Sequence, residues 1–390
     1  MPASLPPEQI LDRLAEAGLR GRGGGWFPAA RKWKAVRAEG GQPLVVANGA
    51  EGEPGSVKDR FVMVHRPAEV VRGLGLAARA LGAREAVVFL KASFHEPARA
   101  LRAALAAEPP DGVAVTVRQG DDSYIAGEET AVLEVLEGRR AWPRPKPPLP
   151  CAVGFEGRPT LVQNVETLAR VPAAVADPAA FRATETTLVS VWGHVRRPGV
   201  REVRLGTPLG HIVEEQAGGA PDGIGLLFPA GPSARPLSAD GAALPLDPDA
   251  LRAAGSGLGT ASLLVIRPQA CPLSVAASLA AFFERESCGQ CPPCTMGSAS
   301  LGRVARGLEE GGTRASQVAS LRDVSGFMSS HGYCAHSRTA AAVVTGLLAL
   351  AAREVEAHLE AGRCPRPEHR CDPFAPGSPE RTAIESTINP

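Results

Sequence analysis

The chain has 390 residues, enough for two or three domains that each bury a core of their own. Its formal net charge is +1 and charged residues make up 21% of it, so the composition argues against a nucleic-acid partner. Apolar runs such as residues 340–352 are too short to span a membrane, and the N-terminus lacks the pattern of a signal peptide. We therefore predict a cytoplasmic protein with no direct membrane insertion.

Helical and strand patterns alternate over the first part of the chain. Apolar side chains recur at helical spacing in residues 8–18, 66–82 and 95–107. Strand patterns lie in residues 43–55, 83–91 and 112–119, the first of them running into a Gly/Glu/Pro loop. This alternation predicts an open α/β sheet that binds ligands at the carboxyl ends of its strands.

The pattern changes after about residue 184. Strand patterns separated by an RRPG turn, a short helix and a returning strand at 262–268 predict a small β domain, and helical patterns follow. Proline and charged residues dominate from Arg363 onward and predict a poorly ordered tail. The predicted divisions are 1–184 (α/β domain), 185–270 (small β domain), 271–362 (helical domain) and 363–390 (tail).

Three of the eight cysteines crowd into the stretch ESCGQCPPC. Cys288, Cys291 and Cys294 follow one another at intervals of three, and Cys334 lies forty residues beyond the last of them. Four thiolates can ligate a [4Fe–4S] cluster, and the same four could bind a structural zinc ion. Zinc sites more often use two separated C-x₂-C pairs, so the spacing favours iron–sulfur ligation and leaves zinc as the alternative.

The other four cysteines carry weaker signals. Cys151 and Cys271 are single residues next to apolar residues or proline, which favours buried structural thiols. Cys364 and Cys371 are too far apart in sequence for a compact chelate loop, so a second metal site in the tail is the less favoured interpretation.

A glycine-rich stretch, GRGGGW at 21–26, precedes the second predicted helix. It does not fit the G-x-G-x-x-G pattern, so alone it is equally compatible with a flexible turn. Four later stretches change this interpretation: ANGAEGEPGSVKDR (47–60), YIAGEETAVLEVLEG (124–138), KPPLPCAVGFEGRPTLVQNVET (146–167) and ESCGQCPPC with Cys334.

Read in this order, these stretches resemble the NADH-binding flavoprotein subunit of respiratory complex I, also called the 51-kDa subunit or the F subunit. The same family includes the diaphorase subunits of NAD-linked hydrogenases and formate dehydrogenases. The resemblance extends over roughly residues 8–362. It implies an N-terminal open α/β FMN-binding domain, a small β-grasp (SLBB-like) domain and a C-terminal helical iron–sulfur domain.

The resemblance also implies the cofactor-binding residues. They fall in the glycine loop, after the first strand and in the YIAGEET and QNVET motifs, and Lys32, Phe27 and Glu129 match positions that hold the nicotinamide nucleotide. The full set is Gly21, Arg22, Gly23, Gly24, Phe27, Lys32, Asn48, Glu51, Tyr124, Gly127, Glu128, Glu129, Asn164 and Thr167. Cys288, Cys291, Cys294 and Cys334 match the ligands of the cluster.

The reaction that the resemblance implies is hydride transfer from NADH to FMN, followed by single-electron transfer to the [4Fe–4S] cluster. The chain would be the flavoprotein subunit of an NADH:quinone or NADH:acceptor oxidoreductase. It has no second C-x₂-C-x₂-C run, so its electrons would leave to a small thioredoxin-like [2Fe–2S] subunit or a ferredoxin. We expect a larger electron-transfer complex, in which the chain would be peripheral to the membrane.

Several residues depart from the family pattern on the nucleotide side. Trp26 stands where glycine is usual, Ala50 where aspartate is usual, and Gln163 where asparagine is usual. Ala35 and Leu149 fall where aromatic residues often enclose NADH.

Trp26 either replaces the lost stacking or fills the nicotinamide position. The alternative function is therefore an electron-relay subunit on the same fold that no longer binds NADH, and a third is a non-enzymatic binding module with a structural metal.

Overall fold

A computed structural model describes residues 5–388 of the chain. These residues form two compact units. The N-terminal unit comprises residues up to 52 together with 57–187, and the C-terminal unit comprises 53–56 and the residues from 188 onward. The predicted fold class is confirmed, since a parallel α/β sheet precedes a small mixed sheet and a helical region. The finer domain boundaries stay predictions.

The N-terminal unit is built on a four-stranded parallel sheet. Its strands are β1 (Leu44–Asn48), β2 (Glu85–Lys91), β3 (Ala114–Gly120) and β4 (Thr160–Asn164), in the order β3-β2-β1-β4. The direction in which successive strands are added reverses between β1 and β4, and α/β sheets bind ligands outside the carboxyl ends of the strands at such a point. The strand β4 was not identified from the sequence.

Among the described residues, eight helices accompany this sheet. The first begins with proline and ends at Gly18, whose φ of 71° is the left-handed conformation that glycine adopts without strain. Helices on both faces explain why β1 is almost wholly buried and reads as a continuous apolar run. The helices are α1 (Pro7–Ala17), α2 (Ala29–Ala38), α3 (Lys58–His65), α4 (Pro67–Leu81), α5 (His95–Ala107), α6 (Glu129–Leu136), α7 (Val165–Ala176) and α8 (Pro178–Ala183).

A five-stranded mixed sheet opens the C-terminal unit, in the order β6-β5-β9-β7-β8. The central strand β9 (Ser262–Ile266) is buried along its whole length and runs parallel to β5 and antiparallel to β7. The other strands are β5 (Thr186–Gly193), β6 (Gly199–Arg204), β7 (Leu226–Phe228) and β8 (Leu237–Ser238). Two short helices, α9 (Leu209–His211) and α10 (Pro248–Ala253), complete this layer.

Between residues 271 and 362, five helices follow and confirm the predicted helical region. They are α11 (Pro272–Arg285), α12 (Pro292–Glu310), α13 (Ala315–His331), α14 (Ala335–Leu350) and α15 (Ala352–Ala361). The central helix α11 is buried on nearly all sides, in keeping with its apolar sequence. Within residues 5–388, no helix combines the length and apolar character needed to cross a membrane.

The tail after Arg363 differs from the expectation of poor order. It contains the helix α16 (Pro379–Glu385), and the side chains of Phe374 and Ile384 are fully buried. The Phe374 ring packs edge-on against Trp192 and Phe228, with centroid distances of 6.1 and 5.7 Å. The prediction from composition was wrong because a few apolar side chains can order a polar segment when they pack into an aromatic pocket.

The packing of α4 against α7 gives a test of this fold. A Cβ atom added at Gly73 of α4 would lie 1.9 Å from the carbonyl oxygen of Leu168 on α7. We expect Gly73→Ala to lower the free energy of unfolding of the N-terminal unit by about 1–3 kcal/mol, as overpacking does. Denaturant titration followed by circular dichroism measures this change.

The matched control for this prediction is Gly326→Ala in α13. No heavy atom lies within 4 Å of the added Cβ there, and alanine favours a helix over glycine by about 1 kcal/mol. This variant should be as stable as the parent chain or more so. A Gly73→Ala chain with unchanged stability would contradict the close approach of α4 and α7.

Candidate functional site

A cavity of about 510 Å³ lies at the carboxyl edge of the parallel sheet. Its volume is in the range of pockets that bind small molecules and cofactors. Its walls come from the glycine loop, α2, the ends of β1 and β4, the start of α6 and the proline-rich segment 146–151. Nine of the residues predicted to bind cofactor line it: Gly21, Gly23, Phe27, Lys32, Asn48, Gly127, Glu128, Glu129 and Asn164.

Two asparagines mark the carboxyl ends of neighbouring strands. Asn48 ends β1 and Asn164 ends β4, and the parallel register places them opposite each other. Asn48 donates from Nδ2 to the carbonyl oxygen of Gly127 at 2.9 Å. The Oδ1 atom of Asn164 accepts hydrogen bonds from the first backbone N–H groups of α7 and so caps that helix. Each amide is thus fixed by backbone groups.

The glycine loop is held against the start of α7. The backbone N–H of Arg22 donates to Thr167 Oγ1 at 2.8 Å. A Cβ atom on Gly23 would lie 3.2 Å from Cβ of Asn164, so this position accommodates only glycine comfortably. Gly25 lines the cavity and no atom lies within 4 Å of where its Cβ would be. At Gly23 and Gly25 the loop therefore presents backbone to the cavity without a side chain in the way.

Trp26 forms a wall of this cavity. Only 3% of its surface is exposed, and its φ of 50° is in the left-handed region that favours glycine. The guanidinium carbon of Arg22 lies 4.3 Å from the centroid of the indole ring, and Arg22 donates from Nη2 to Glu185 Oε1 at 2.5 Å. The buried Arg22 thus holds the indole through a cation–π contact.

Two lysines and two glutamates form a charged group that also lines the cavity. Lys32 Nζ lies 2.9 Å from Glu129 Oε2, and Lys146 Nζ lies 2.6 Å from Glu129 Oε1 and 2.8 Å from Glu128 Oε1. Burial alone would raise the pKa of Glu129, but Lys32 and Lys146 outweigh it and lower that pKa to about 2. Glu129 is therefore a carboxylate, and two ammonium groups face the cavity.

Lys146 was not among the predicted site residues. Its signal in the sequence was the basic, proline-rich segment 139–150, which reads as an extended linker. Only the fold brings this segment back to the start of α6, where Lys146 reaches Glu128 and Glu129.

The remaining predicted residues lie around the cavity without lining it. Glu51 is buried and accepts from the backbone N–H of Asp59 at 3.0 Å. Tyr124 begins the 3₁₀ turn that precedes α6, and Gly24 has a φ of 106° that requires glycine. The side chains of Arg22 and Thr167 serve the loop contacts described above. These residues position the walls.

Four of the five residues that depart from the family pattern line the cavity, and Ala50 does not. Ala35, Leu149 and Gln163 line the cavity, and Gln163 accepts a hydrogen bond from the indole N–H of Trp33 at 3.1 Å. Cys151 also lines the cavity and is partly exposed, so its interpretation as a buried structural thiol is wrong. Cys151 directly follows the proline-rich segment 146–150.

In the C-terminal unit, the structure brings two helix N-termini to the predicted cysteine ligands. Cys291 is the N-cap residue of α12, Cys294 lies in the first turn of that helix, and Cys334 is the N-cap residue of α14. Helix N-termini carry partial positive charge and stabilise anions nearby. This placement suits a cluster of thiolates, whose net charge is negative.

The pKa of Cys294 reflects its burial and its neighbours. Burial raises the pKa of Cys294 to about 11, and the Ser287 hydroxyl, 3.4 Å from its sulfur, opposes that rise. The charges of Cys291, Cys334 and Cys288 raise it further. The buried His336 donates from Nε2 to the carbonyl oxygen of Phe283 at 3.0 Å and so has a packing role.

Both sets of residues fit the groups expected from the sequence. The cavity combines glycine backbone, amide groups and ammonium groups, which suit the phosphate and ring atoms of FMN. Four cysteines, two of them at the N-cap positions of helices, provide the donor set of a [4Fe–4S] cluster.

Comparison with known proteins agrees with this chemistry. Residues 14–173 match the family model of the Nuo51 FMN-binding domain, and residues 274–358 match that of the NADH-ubiquinone oxidoreductase-F iron-sulfur binding region. The chain is 36% identical over 381 residues to an NADH-quinone oxidoreductase F subunit of Rhizobium meliloti (strain 1021), covering 92% of this chain and 90% of that protein. The F subunit of the same enzyme in Rickettsia bellii (strain OSU 85-389) is 34% identical over 382 residues, 90% of each chain.

A solved structure shares the fold. The crystal structure of an NAD⁺-reducing [NiFe]-hydrogenase in the H₂-reduced state superposes with a TM-score of 0.84 at 31% identity, over 90% of this chain. The chain spans 63% of the length of that hydrogenase chain.

The charged group at the cavity predicts a pH dependence of stability. The pKa of Glu129 is lowered in the folded chain from its ordinary 4.5 to about 2, so its contribution to stability is complete above about pH 4.5 and is lost as the pH falls through about 2. Wild-type protein should therefore exceed Glu129→Gln in unfolding free energy by a larger margin near pH 7 than at about pH 3. Urea titrations at both pH values measure the margin.

The control for this prediction is Glu39→Gln, which removes an exposed carboxylate at the end of α2 and leaves the lysine contacts in place. Its stability difference from wild type should change less with pH. A margin for Glu129→Gln that stays constant between the two pH values would contradict the lysine–carboxylate contacts.

Proposed function

Because the chain belongs to the family of NADH-binding flavoprotein F subunits of NADH-quinone oxidoreductases, we propose that it oxidises NADH and delivers the electrons singly to a partner iron–sulfur protein. The family's cofactors are FMN and a [4Fe–4S] cluster. One observation carries the proposal: a cavity at the reversal point of the sheet joins a glycine loop, two fixed amides and three lysine–glutamate contacts.

FMN would occupy the cavity and, when bound, supplies hydride acceptance together with one-electron donation. Asn48 and Asn164 orient a planar ligand, because their amide groups are already fixed by the backbone. The backbone of the glycine loop lets that ligand approach closely, because Gly25 places no side chain between them. The chain thus contributes orientation rather than an acid or a base.

The nucleotide substrate would bind at the charged group of lysines and glutamates. Lys32 and Lys146 can pair with phosphate groups, and Glu129 offers its carboxylate oxygens to ribose hydroxyls. Phe27 is 49% exposed and lines the cavity, so its ring is available to stack on an adenine. These roles account for a substrate that is both anionic and aromatic.

The cluster would be held by Cys288, Cys291, Cys294 and Cys334, and two helix N-termini stabilise its negative charge. For the partner, we propose a small thioredoxin-like [2Fe–2S] subunit or a ferredoxin within a larger electron-transfer complex. The names of the relatives as subunits support such an assembly.

Trp26 supports a second candidate, an electron-relay subunit that has lost NADH. The indole occupies a wall of the cavity at a backbone conformation suited to glycine. The cation–π contact with Arg22 instead favours an indole held aside as a stacking surface, and we therefore place the dehydrogenase first.

The test is anaerobic titration of the chain, reconstituted with FMN, iron and sulfide, against NADH while the flavin absorption is recorded. We expect NADH to bleach the flavin in wild-type protein. Trp26→Gly should weaken NADH binding by about 2- to 12-fold, because a stacked aromatic contributes about 0.5–1.5 kcal/mol.

The control is Trp142→Gly, since Trp142 is exposed and does not line the cavity. It should leave NADH binding unchanged. If dithionite but not NADH reduces the wild-type flavin, and Trp26→Gly restores reduction by NADH, the indole blocks the site and the relay function is correct.

A further inference from the structure

The C-terminal unit contains a second group of potential metal ligands, none of which belongs to the four-cysteine site. Cys271 Sγ lies 3.4 Å from His358 Nε2 and 3.8 Å from Cys364 Sγ. All three ligand atoms lie within 4.8 Å of one another, and all three side chains are buried. From the sequence, Cys271 was expected to be an isolated thiol and Cys364 to lie in a poorly ordered tail.

The spacing of these atoms matches a single tetrahedral ion. Zinc binds cysteine sulfur at about 2.3 Å and histidine nitrogen at about 2.0–2.1 Å, so two sulfurs on one tetrahedral ion lie about 3.8 Å apart. A sulfur and a nitrogen on the same ion lie about 3.6 Å apart. The distances of 3.8 Å between the two sulfurs and 3.4 Å between Cys271 and His358 agree with this geometry.

The histidine is held in the tautomer that a metal requires. His358 Nδ1 lies 2.7 Å from the carbonyl oxygen of Glu354, one turn earlier on α15. A carbonyl oxygen can only accept, so Nδ1 carries the proton and Nε2 presents its lone pair to Cys271 and Cys364. Metal-binding histidines are commonly oriented by this kind of contact from their other ring nitrogen.

The two cysteines are placed by backbone hydrogen bonds. Cys271 is the N-cap residue of α11, and its N–H donates to the carbonyl oxygen of His369 at 2.8 Å. The N–H of Cys364 donates to the carbonyl oxygen of Glu309 at 3.0 Å. The start of α11, the end of α15 and the tail therefore meet at this group.

We propose that Cys271, His358 and Cys364 bind a zinc ion that fastens the C-terminal tail to the helical region. Two thiolates and one imidazole are a donor set that zinc favours, and three protein ligands leave one coordination position for water or a small ligand. The ion would join residues far apart in sequence, and its binding energy would stabilise the folded chain. The tail contacts at Ser274 and Ser278 of α11 would be held by the same ion.

A Cys271–Cys364 disulfide is the competing use of these residues. The two sulfur atoms lie 3.8 Å apart, nearly twice the length of a disulfide bond of about 2.05 Å. A disulfide would also make no use of the lone pair that His358 Nε2 directs at the two cysteines. The geometry therefore favours the metal.

The experiment loads the full chain with zinc under reducing conditions, reconstitutes the iron–sulfur cluster, removes loosely bound metal and measures zinc and iron by mass spectrometry. We expect one zinc per wild-type chain in addition to the cluster iron. Cys364→Ser should lose the zinc and keep the iron. Zinc-edge X-ray absorption of wild-type protein should show sulfur neighbours at about 2.3 Å, a result that does not depend on whether a variant folds.

The matched control is Cys371→Ser, which alters another buried cysteine of the tail, one grouped with His194 and Glu380. It should keep the zinc. The proposal is overturned if wild-type chain holds no zinc, if Cys371→Ser loses zinc while Cys364→Ser keeps it, or if peptide mapping of the loaded protein finds Cys271 joined to Cys364.

Discussion

The parallel pairing of β1 with β4 is the constraint on which the N-terminal site depends. It sets Asn48 opposite Asn164 at the edge where the sheet reverses its order of strands. Register in a sheet is set in steps of one residue, and a shift by one turns every side chain to the other face. Such a shift of β4 would remove the Asn164 amide from the cavity, together with the cap of α7 and the anchor of the glycine loop.

A network of buried charged side chains supports this arrangement. Asn164 donates from Nδ2 to Asp59 at 2.7 Å, and Lys58 contacts both Asp59 and Glu166 at 2.7 and 3.0 Å. Burial raises the pKa of Asp59 to about 7 in spite of the adjacent Lys58. Such a network adds little net stability, yet removing one partner leaves a buried charge that costs about 3–5 kcal/mol. It therefore fixes where the amide of Asn164 points.

Sequence patterns predicted most of this fold because its signals are local. The periodicity of α1 and the apolar run of β1 can be read from a few residues, and so can the cysteine spacing. Contacts between distant segments could not be read in this way. Lys146 reaches the cavity, and Cys364 reaches Cys271, only because the chain folds back on itself. The local composition of both segments indicates a linker or a tail.

The central claim is that electrons pass from NADH to the cluster by way of FMN bound in this chain. Electron paramagnetic resonance at low temperature tests it directly, with the cluster-loaded chain mixed anaerobically with NADH in the presence and absence of FMN. We predict the signal of a reduced [4Fe–4S] cluster only when FMN is bound. A cluster reduced by NADH without FMN, or a cluster that stays oxidised while the flavin is bleached, would contradict the account.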